Sequence, residues 1–226
     1  MLFMVLGRGK TGSLVERVAH ERGHSVRVVG EEENRNAAAL TAPVLAGFDA
    51  IIDFTTPEAA VQNMRACLAT GARIVVGTTG WYSQLDDMKA LAQRRGGALL
   101  YSANFSVGVQ ALFKVARELA SVAHGYRFSI TETHHATKKD APSGTALTLK
   151  RVLESANPAL TVEIASKREG DVPGIHEVDA RSDNDVIVLR HESFSRRGFA
   201  EGAVRAAEWI AGKTGCWAFE EILEKL

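Results

Sequence analysis

The sequence has little cysteine and no excess of either charge, and both shortages exclude common classes of protein. Its 226 residues include 27 Lys and Arg and 27 Asp and Glu, so the formal net charge is zero. A neutral chain has no bulk attraction for nucleic acid or for an anionic membrane, and we expect neither as a partner. The two cysteines, Cys67 and Cys216, lie in no metal or redox spacing. We therefore expect no disulfide framework and no zinc ribbon.

Long apolar runs are also missing. No stretch approaches the length that spans a membrane. Residues 1–6 are too short for the core of a signal peptide and carry no charged leader. Together with the few cysteines, this pattern predicts a cytoplasmic protein. The hydrophobic share of 46% and the charged share of 24% are typical of globular proteins, and the length suits one large domain or two small ones.

The first thirty residues have the order of a dinucleotide-binding unit. An apolar run at residues 2–6 predicts a buried strand, a glycine loop follows, a helix is expected after Gly12, and residues 25–29 predict a second strand. Glycines let a backbone approach a pyrophosphate, and Glu31 after the second strand can bind ribose hydroxyls. The plain alternative is a tight turn between strand and helix. The loop consists of Gly7, Arg8, Gly9, Lys10, Thr11 and Gly12.

Strands and helices continue to alternate up to residue 105. Strands are expected at residues 50–54, 73–76 and 98–101, with helices opening at Thr56 and Ser83. This order favours an α/β fold with a Rossmann-like parallel sheet. Ligands bind at the carboxyl ends of the strands in such sheets, and three polar or glycine-rich loops fall there in addition to the first. They contain Thr55 and Thr56, then residues 77–80, then residues 103–105.

The pattern changes after residue 105. A helix is expected at residues 109–123, and strands at 161–165, 177–181 and 185–191, without strand–helix alternation. These elements predict a smaller α+β domain with a mixed sheet. An amphipathic helix at residues 198–212 is expected to pack back on the first domain. The predicted division is a dinucleotide-binding domain at 1–105 and 197–226, and a second domain at 106–196.

Residues 132–147 carry the densest group of polar and reactive side chains. A strand-like run leads into His134 and His135, which point to opposite faces if the strand continues. Ser143 is a candidate N-cap of a helix whose first amides stay open for an anion, and His135 and Lys138 can add positive charge around it. We interpret this stretch as a pocket for a small acidic substrate with a proton donor inside it. The alternative is a solvated loop between two ordinary elements.

Two further interpretations of the histidines have to be weighed. His134, His135, His176 and His191 are candidate metal ligands, but neighbours on a strand diverge and no acid or cysteine is seen to complete a set, so we expect no metal. A structural role is the second possibility. A cofactor domain joined to a domain with His and Lys beside an anion site indicates hydride transfer, because an imidazole titrates near neutral pH and exchanges the accompanying proton.

These residues resemble the 4-hydroxy-tetrahydrodipicolinate reductase family, also called the dihydrodipicolinate reductases. The signature is His134-His135-x-x-Lys138-x-Asp140-Ala141-Pro142-Ser143-Gly144-Thr145-Ala146-Leu147. Similar segments run in order along most of the chain, at residues 52–59, 76–80, 103–109, 168–176 and 195–203. The signature at residues 134–147 is the highly specific one.

The resemblance implies a Rossmann-like domain completed by the C-terminal helix. It also implies that residues 106–196 form a substrate-binding and oligomerisation domain whose sheet forms a homotetramer. It implies NADH- and/or NADPH-dependent reduction of a small cyclic dicarboxylate to tetrahydrodipicolinate in the diaminopimelate pathway of lysine biosynthesis. His134 would be the acid/base group and Lys138 a second proton donor. Substrate would be bound by His135, Ser143, Gly144 and Thr145. Cofactor would be bound by residues 7–12 with Glu31, Thr55, Gly77, Thr78, Thr79, Ser102, Ala103, Asn104 and Phe105.

The chain departs from the family pattern at three places. The family spaces its first loop as G-x-x-G-x-x-G, whereas the gap between Gly7 and Gly9 is one residue shorter. Glu31 favours ribose hydroxyls and hence NADH, while Arg8, Lys10 or Arg35 can accept the extra phosphate of NADPH, so NADH or dual use is expected. Residues 215–219 differ from the C-terminal run that is usual in the family, and this difference affects how the domain packs locally.

Two rival functions are considered beside this one. Another two-domain dehydrogenase, such as an aspartate-type enzyme, would need a substrate motif different from the Pro142-Ser143-Gly144-Thr145 turn. A dinucleotide-sensing regulator would keep the cofactor loops but has no need of His134 and Lys138. Turnover by variants of these two residues discriminates between the rivals.

Overall fold

A computed structural model describes all residues from 1 to 226. The chain forms ten strands and seven α-helices. In chain order they are β1 (Leu2–Leu6), α1 (Lys10–Glu21), β2 (Ser25–Val29), α2 (Ala42–Leu45), β3 (Ala50–Asp53), α3 (Pro57–Ala69), β4 (Arg73–Val76), α4 (Leu85–Arg95), β5 (Ala98–Tyr101), α5 (Val107–Val122), β6 (Arg127–His134), α6 (Gly144–Ala156), β7 (Glu163–Arg168), β8 (Gly174–Arg181), β9 (Val186–Ser193), α7 (Arg197–Ile210) and β10 (Gly215–Ala218). Residue contacts divide the chain into two compact units, one of residues 1–106 with 197–226 and one of residues 107–196.

The first unit is built on a six-stranded parallel sheet in the order β10-β5-β4-β3-β1-β2. Helices cover both faces of such a sheet, so its central strands are apolar throughout. Phe3, Met4, Val5 and Leu6 of β1 are accordingly all fully buried. The predicted parallel sheet is confirmed. Strand β10 was not predicted, because a four-residue segment that pairs with β5 carries no pattern of its own.

Helix ends in the first unit follow local chemistry, with one difference from prediction. Thr56 caps α3 by accepting a hydrogen bond from the Ala59 amide, and Pro57 occupies the first turn, as the sequence indicates. Helix α1 begins at Lys10 and not after Gly12, because Gly9 is already its N-cap. The predicted glycine loop therefore includes the first turn of the helix. Helix α7 packs on α1 and on strands β3 to β5.

The second unit is a mixed four-stranded sheet in the order β7-β6-β8-β9, with one parallel pair and two antiparallel pairs. Helices α5 and α6 pack with one face of this sheet, around Phe128, Ile130 and Val178. The predicted α+β class is confirmed, although the strands are longer than expected. Because β8 begins at Gly174, the glycine-rich loop is confined to residues 169–173. None of the helices is both long and apolar enough to cross a membrane.

Candidate active site

The glycine loop after β1 is held in a conformation that excludes side chains at two positions. Gly7 has φ of +100°, donates its amide to the Val29 carbonyl at 3.0 Å, and would place an added Cβ 2.5 Å from the Phe54 carbonyl oxygen. At Gly12 an added Cβ would overlap the carbonyl oxygen of Gly7. Both glycines are therefore required for the close approach of α1 to the ends of β1 and β3.

Gly9 serves a different purpose from the other two glycines. Gly9 is the N-cap of α1 and has no side chain with which to cap the first turn. An added Cβ at this position would meet nothing within 4 Å. The first amides of a helix have no partner within the helix and carry the positive end of its dipole. The space beside Gly9 is thus open and lies next to groups that attract an anion.

A cavity of about 320 Å³ lies at these strand ends. It is formed by the start of α1, the segment after β3 and the segment after β4. Seven of the predicted cofactor residues line it, and Phe54 and Pro57 line it without having been predicted as site residues. The lining consists of Gly9, Lys10, Thr11, Phe54, Thr55, Pro57, Gly77, Thr78 and Thr79.

Asp53, at the end of β3, joins two of these segments. Its fully buried carboxylate accepts hydrogen bonds from the Thr55 amide at 2.9 Å, the Thr55 hydroxyl at 2.7 Å, the Thr78 hydroxyl at 3.0 Å and the Asn63 amide group at 2.8 Å. Burial raises the pKa of Asp53, while the hydrogen bonds from Thr55, Asn63 and Thr78 oppose that rise. Four donors on one side chain fix the relative positions of Thr55 and Thr78.

Other predicted cofactor residues do not line this cavity. Arg8 is exposed and reaches back to the end of β2, where its Nη2 donates to the Val28 carbonyl at 3.4 Å, and Glu31 is exposed in the following turn. Ser102 and Asn104 are buried in a turn in which the Ser102 hydroxyl donates to the Asn104 carbonyl at 2.8 Å, and Ala103 is exposed. Phe105 is buried, with its ring 4.8 Å from that of Phe219. Its side chain therefore packs the interior of the first unit.

In the second unit, Glu132 and His134 lie two residues apart on β6 and thus point to the same face of the sheet. The Nδ1 atom of His134 is 2.7 Å from Oε2 of Glu132. Burial, the largest influence, lowers the pKa of His134; Glu132 opposes this, while the positive charges of Lys138 and Arg168 add to it. The predicted proton-transfer residue therefore has a carboxylate against one of its ring nitrogens and two positively charged groups nearby.

The second oxygen of Glu132 ties the strand to two other segments. Oε1 accepts hydrogen bonds from the Ser143 amide and from Nη2 of Arg168, both at 3.1 Å. Burial raises the pKa of Glu132, but hydrogen bonds from Ser143, Ser166 and Arg168 and the charge of His134 outweigh it and lower the pKa to about 2. Glu132 is consequently an anion at neutral pH, although it is fully buried.

Ser143 is the N-cap of α6, as predicted, and accepts a hydrogen bond from the Ala146 amide at 3.2 Å. Its hydroxyl also lies 3.3 Å from Nε2 of His176. The rings of His134 and His176 meet edge to face with centroids 5.1 Å apart. Burial first, and then the neighbouring positive charges, lower the pKa of His176 to about 4. The start of α6 thus contacts His176 directly, and His176 in turn contacts the ring of His134.

The remaining predicted substrate residues lie on the segment between β6 and α6. Lys138 is held by Asp140, whose two carboxylate oxygens accept from its Nζ at 2.7 and 2.8 Å, and this hydrogen bonding lowers the pKa of Asp140. His135 is half-buried, with Nδ1 at 2.8 Å from the Thr137 hydroxyl. Gly144 is exposed in the first turn of α6 and has open space around its α-carbon, and Thr145 follows it.

The structure corrects the reason given for excluding a metal. An acid does complete a set with the histidines, since possible ligand atoms of Glu132, His134 and His176 lie within 4.8 Å of one another. The sequence argument failed because it considered neighbours along the strand and not the partner strand, where His176 lies opposite Glu132. The guanidinium of Arg168 already supplies positive charge to this carboxylate.

Four polar residues of the clusters around Asp53 and around Glu132 were not predicted as catalytic or binding residues, namely Asp53, Glu132, Arg168 and His176. Of these, only His176 was considered, as a metal ligand. Two of them have a signal in the sequence. Glu132 is separated by two positions from His134, and Asp53 ends an apolar strand. Arg168 and His176 are brought to Glu132 by the pairing of β7 and β8 with β6, which has no local signal.

Comparison with known families covers nearly the whole chain. Residues 1–105 match the model described as dihydrodipicolinate reductase, N-terminus, and residues 108–223 match dihydrodipicolinate reductase, C-terminus. A 4-hydroxy-tetrahydrodipicolinate reductase of Christiangramia forsetii is 33% identical over 100% of this chain and 99% of its own length. One of Natronomonas pharaonis is 38% identical over 92% of this chain and 94% of its own length.

Solved structures show the same fold. A dipicolinate-bound dihydrodipicolinate reductase from Paenisporosarcina sp. TG-14 has a TM-score of 0.84 at 22% identity and covers 98% of this chain and 99% of its own. An aspartate dehydrogenase from Thermotoga maritima is more distant, with a TM-score of 0.52 at 11% identity over 94% of this chain and 97% of its own. On the matches to both halves and the identity to full-length relatives, the chain belongs to the dihydrodipicolinate reductase family.

Proposed function

We propose that this protein reduces 4-hydroxy-tetrahydrodipicolinate to tetrahydrodipicolinate with NADH or NADPH, in the diaminopimelate pathway of lysine biosynthesis. The observation that carries the proposal is the match of both halves of the chain to one reductase family. The geometry of the signature motif supports it, because His134 lies beside a carboxylate and next to the N-terminus of α6. It is an oxidoreductase of biosynthetic metabolism, and we place it in the cytoplasm.

The strand ends of the first unit fit a nicotinamide dinucleotide. The open space at Gly9 and the uncapped first turn of α1 suit a pyrophosphate, while Gly7 and Gly12 keep that turn close to the sheet. Thr55, Thr78 and Thr79 line the cavity beside it. The bound cofactor supplies the hydride. Glu31 would take ribose hydroxyls, and Arg8, Lys10 or Arg35 would take the additional phosphate of NADPH, which makes NADH or dual use our proposal.

The second unit would hold the cyclic dicarboxylate. The first amides of α6, at Gly144 and Thr145, and the hydroxyl-bearing turn at Ser143 form an anion site, and His135 and Lys138 on the preceding segment add positive charge. Lys138 has a carboxylate partner, Asp140, that is exposed and can exchange it for a substrate carboxylate. This unit is the proposed substrate-binding domain.

Loss of the 4-hydroxyl group as water leaves a carbon–carbon double bond conjugated to the imine. Reduction of that double bond adds one hydride and one proton, and the protein must deliver the proton. His134 would deliver it as an imidazolium, because Glu132 contacts Nδ1, stabilises the positive charge and leaves Nε2 as the nitrogen that gives the proton to the substrate. Lys138 would act as a second proton donor and would hold positive charge near the imine. Both side chains belong to the signature motif.

A homotetramer formed through the sheet of the second unit is the proposed assembly. Helices α5 and α6 cover one face of that sheet, whereas Val186 and Val188 of β9 lie on the opposite face and are 42% and 49% exposed. Branched apolar residues on an uncovered sheet face are expected where copies of a chain meet. Light scattering of the purified protein, and of a Val188→Lys variant, tests this assembly.

The test of the function is oxidation of NADH and of NADPH with substrate generated by the preceding synthase, in its presence and absence. His134→Gln and Lys138→Ala should each lower kcat by about 10²- to 10⁴-fold, since general acid–base catalysis contributes about that much. Both should still bind NADH, because the cofactor loops belong to the other unit. The matched control is Lys139→Ala, because Lys139 is an exposed neighbour of Lys138. Wild-type turnover in both variants would remove these residues from the mechanism.

A further inference from the structure

Glu132 is the one acidic side chain of β6, and it contacts three segments that the proposed chemistry requires. One carboxylate oxygen lies 2.7 Å from His134 Nδ1, and the other accepts from the Ser143 amide and from Arg168. The residue has no exposed surface. An anion without solvent is costly unless it is paired, so its position is set by these three donors together with Ser166.

Arg168 extends this network to the segment that carries Lys138. Its Nη2 donates to the Asp140 carbonyl at 2.6 Å, and its Nε donates to the Lys138 carbonyl at 3.4 Å. The planar guanidinium can make these bonds together with the one to Glu132 because its donors are fixed in a fork. The Arg168 side chain therefore attaches the backbone of the segment to β7, in addition to the hydrogen bond from the Ala136 amide to the Gly170 carbonyl at 3.0 Å.

Gly174, at the start of the neighbouring strand β8, leaves space for the ring of His134. An added Cβ at Gly174 would lie 3.0 Å from Nε2 and 3.3 Å from Cδ2 of His134. The ring is thus confined between Gly174 on one side and Glu132 at Nδ1. A histidine held in this way keeps one tautomer, with the proton on the nitrogen that faces the carboxylate.

We propose that Glu132 is the positioning residue of the active site, which orients His134 directly and fixes the anion-binding turn and the Lys138 segment through Ser143 and Arg168. This inference rests on the proposed function, since it assigns His134 and Lys138 their roles in the reduction. Glu132 itself makes no contact with substrate in the scheme. A purely structural ion pair is the competing explanation, and the two differ in what happens to His134 when the charge is removed.

The first experiment compares Glu132→Gln with the wild type and with Glu163→Gln, an exposed carboxylate on the neighbouring strand β7. We expect kcat to fall about 10- to 100-fold, as for other partners that orient a functional histidine. NADH affinity should not change. The titration of His134 is followed by the NMR signal that is missing in His134→Gln. In Glu132→Gln this titration should move to lower pH, because burial and the charges of Lys138 and Arg168 then lower the pKa of His134 unopposed. Glu163→Gln should match the wild type in all three.

Two further variants separate charge from shape. Glu132→Asp keeps the anion but is one methylene shorter, so kcat should fall while the His134 titration stays nearer to the wild type than in Glu132→Gln. Arg168→Lys keeps a positive charge but loses the forked donors of the guanidinium. It should therefore raise KM for the dicarboxylate about tenfold and lower kcat less than Glu132→Gln does. These variants also keep the test decisive if Glu132→Gln does not fold.

Three outcomes would overturn the inference. They are an unshifted His134 titration in Glu132→Gln, equal shifts in the Gln and Asp variants, and an unchanged KM in Arg168→Lys. The His134 titration needs no turnover, so it is measured whether or not the wild type reduces the proposed substrate. A wild type that shows no reduction refutes the proposed function. An active wild type whose kcat and His134 titration are unchanged by Glu132→Gln refutes only the positioning role.

Discussion

Replacing Gly12 by alanine should damage the cofactor loop by an amount that the structure allows us to work out. The added Cβ would overlap the Gly7 carbonyl oxygen and lie 3.0 Å from the Gly7 carbonyl carbon. Neither atom can yield easily, because Gly7 has a positive φ and donates to Val29. Relief of such overpacking costs about 3 kcal/mol, and the better helix propensity of alanine returns up to about 1 kcal/mol. The expected net loss of about 2 kcal/mol lowers Tm by roughly 4–8 °C.

Gly9→Ala is the matched control, since it makes the same change three residues away. An added Cβ there meets nothing within 4 Å, and the backbone angles of Gly9 suit alanine. Stability should change by less than about 0.5 kcal/mol, because a weaker N-cap and a less flexible unfolded chain offset each other. NADH affinity should nevertheless fall about tenfold or more, equivalent to about 1.4 kcal/mol, since the methyl group takes the space of the pyrophosphate.

Thermal melts and fluorescence titration with NADH measure the two quantities separately. The reasoning predicts that Gly12→Ala loses stability and cofactor affinity together, and that Gly9→Ala loses affinity alone. Equal melting temperatures for the two variants would show that the loop relaxes around the extra carbon. Undiminished NADH binding by Gly9→Ala would show that the pyrophosphate does not approach the start of α1.

Two further predictions concern buried titratable groups. Asp53→Asn keeps an oxygen for Thr55 and Thr78 but turns its NH2 group toward that of Asn63, so it should cost about 1–3 kcal/mol. It should also weaken NADH binding in the same titration, with His134→Gln, which should bind NADH normally, as the comparison. Stability should also rise with pH between about 4 and 6.5, because the pKa of His176 is lowered to about 4 and only the unfolded chain is protonated in that window. The full contribution is about 3 kcal/mol, and urea unfolding at several pH values should show a smaller slope for His176→Gln. A slope unchanged by that substitution would assign the effect to His134 and His191, whose pKa values are also lowered.

Much of the fold could be predicted from local pattern. Continuous apolar runs identify the parallel strands, glycine marks the helix ends, and the loss of alternation after residue 105 indicates the mixed sheet. The exception, β10, has four residues of intermediate burial and is a strand because β5 offers it a partner. A segment that short has no periodicity from which to predict it.

The sequence alone therefore determined the chemistry that is available: a glycine loop for a pyrophosphate, and a histidine, a lysine and a capped helix start within a dozen positions. These signals are local, because they depend on neighbours along the chain. Only the tertiary structure decided how that chemistry is held, since Arg168, Gly174 and His176 reach His134 through strand pairing. The register of a sheet is fixed by burial of one whole face, so contacts across strands are a property of the packed unit and not of any segment within it.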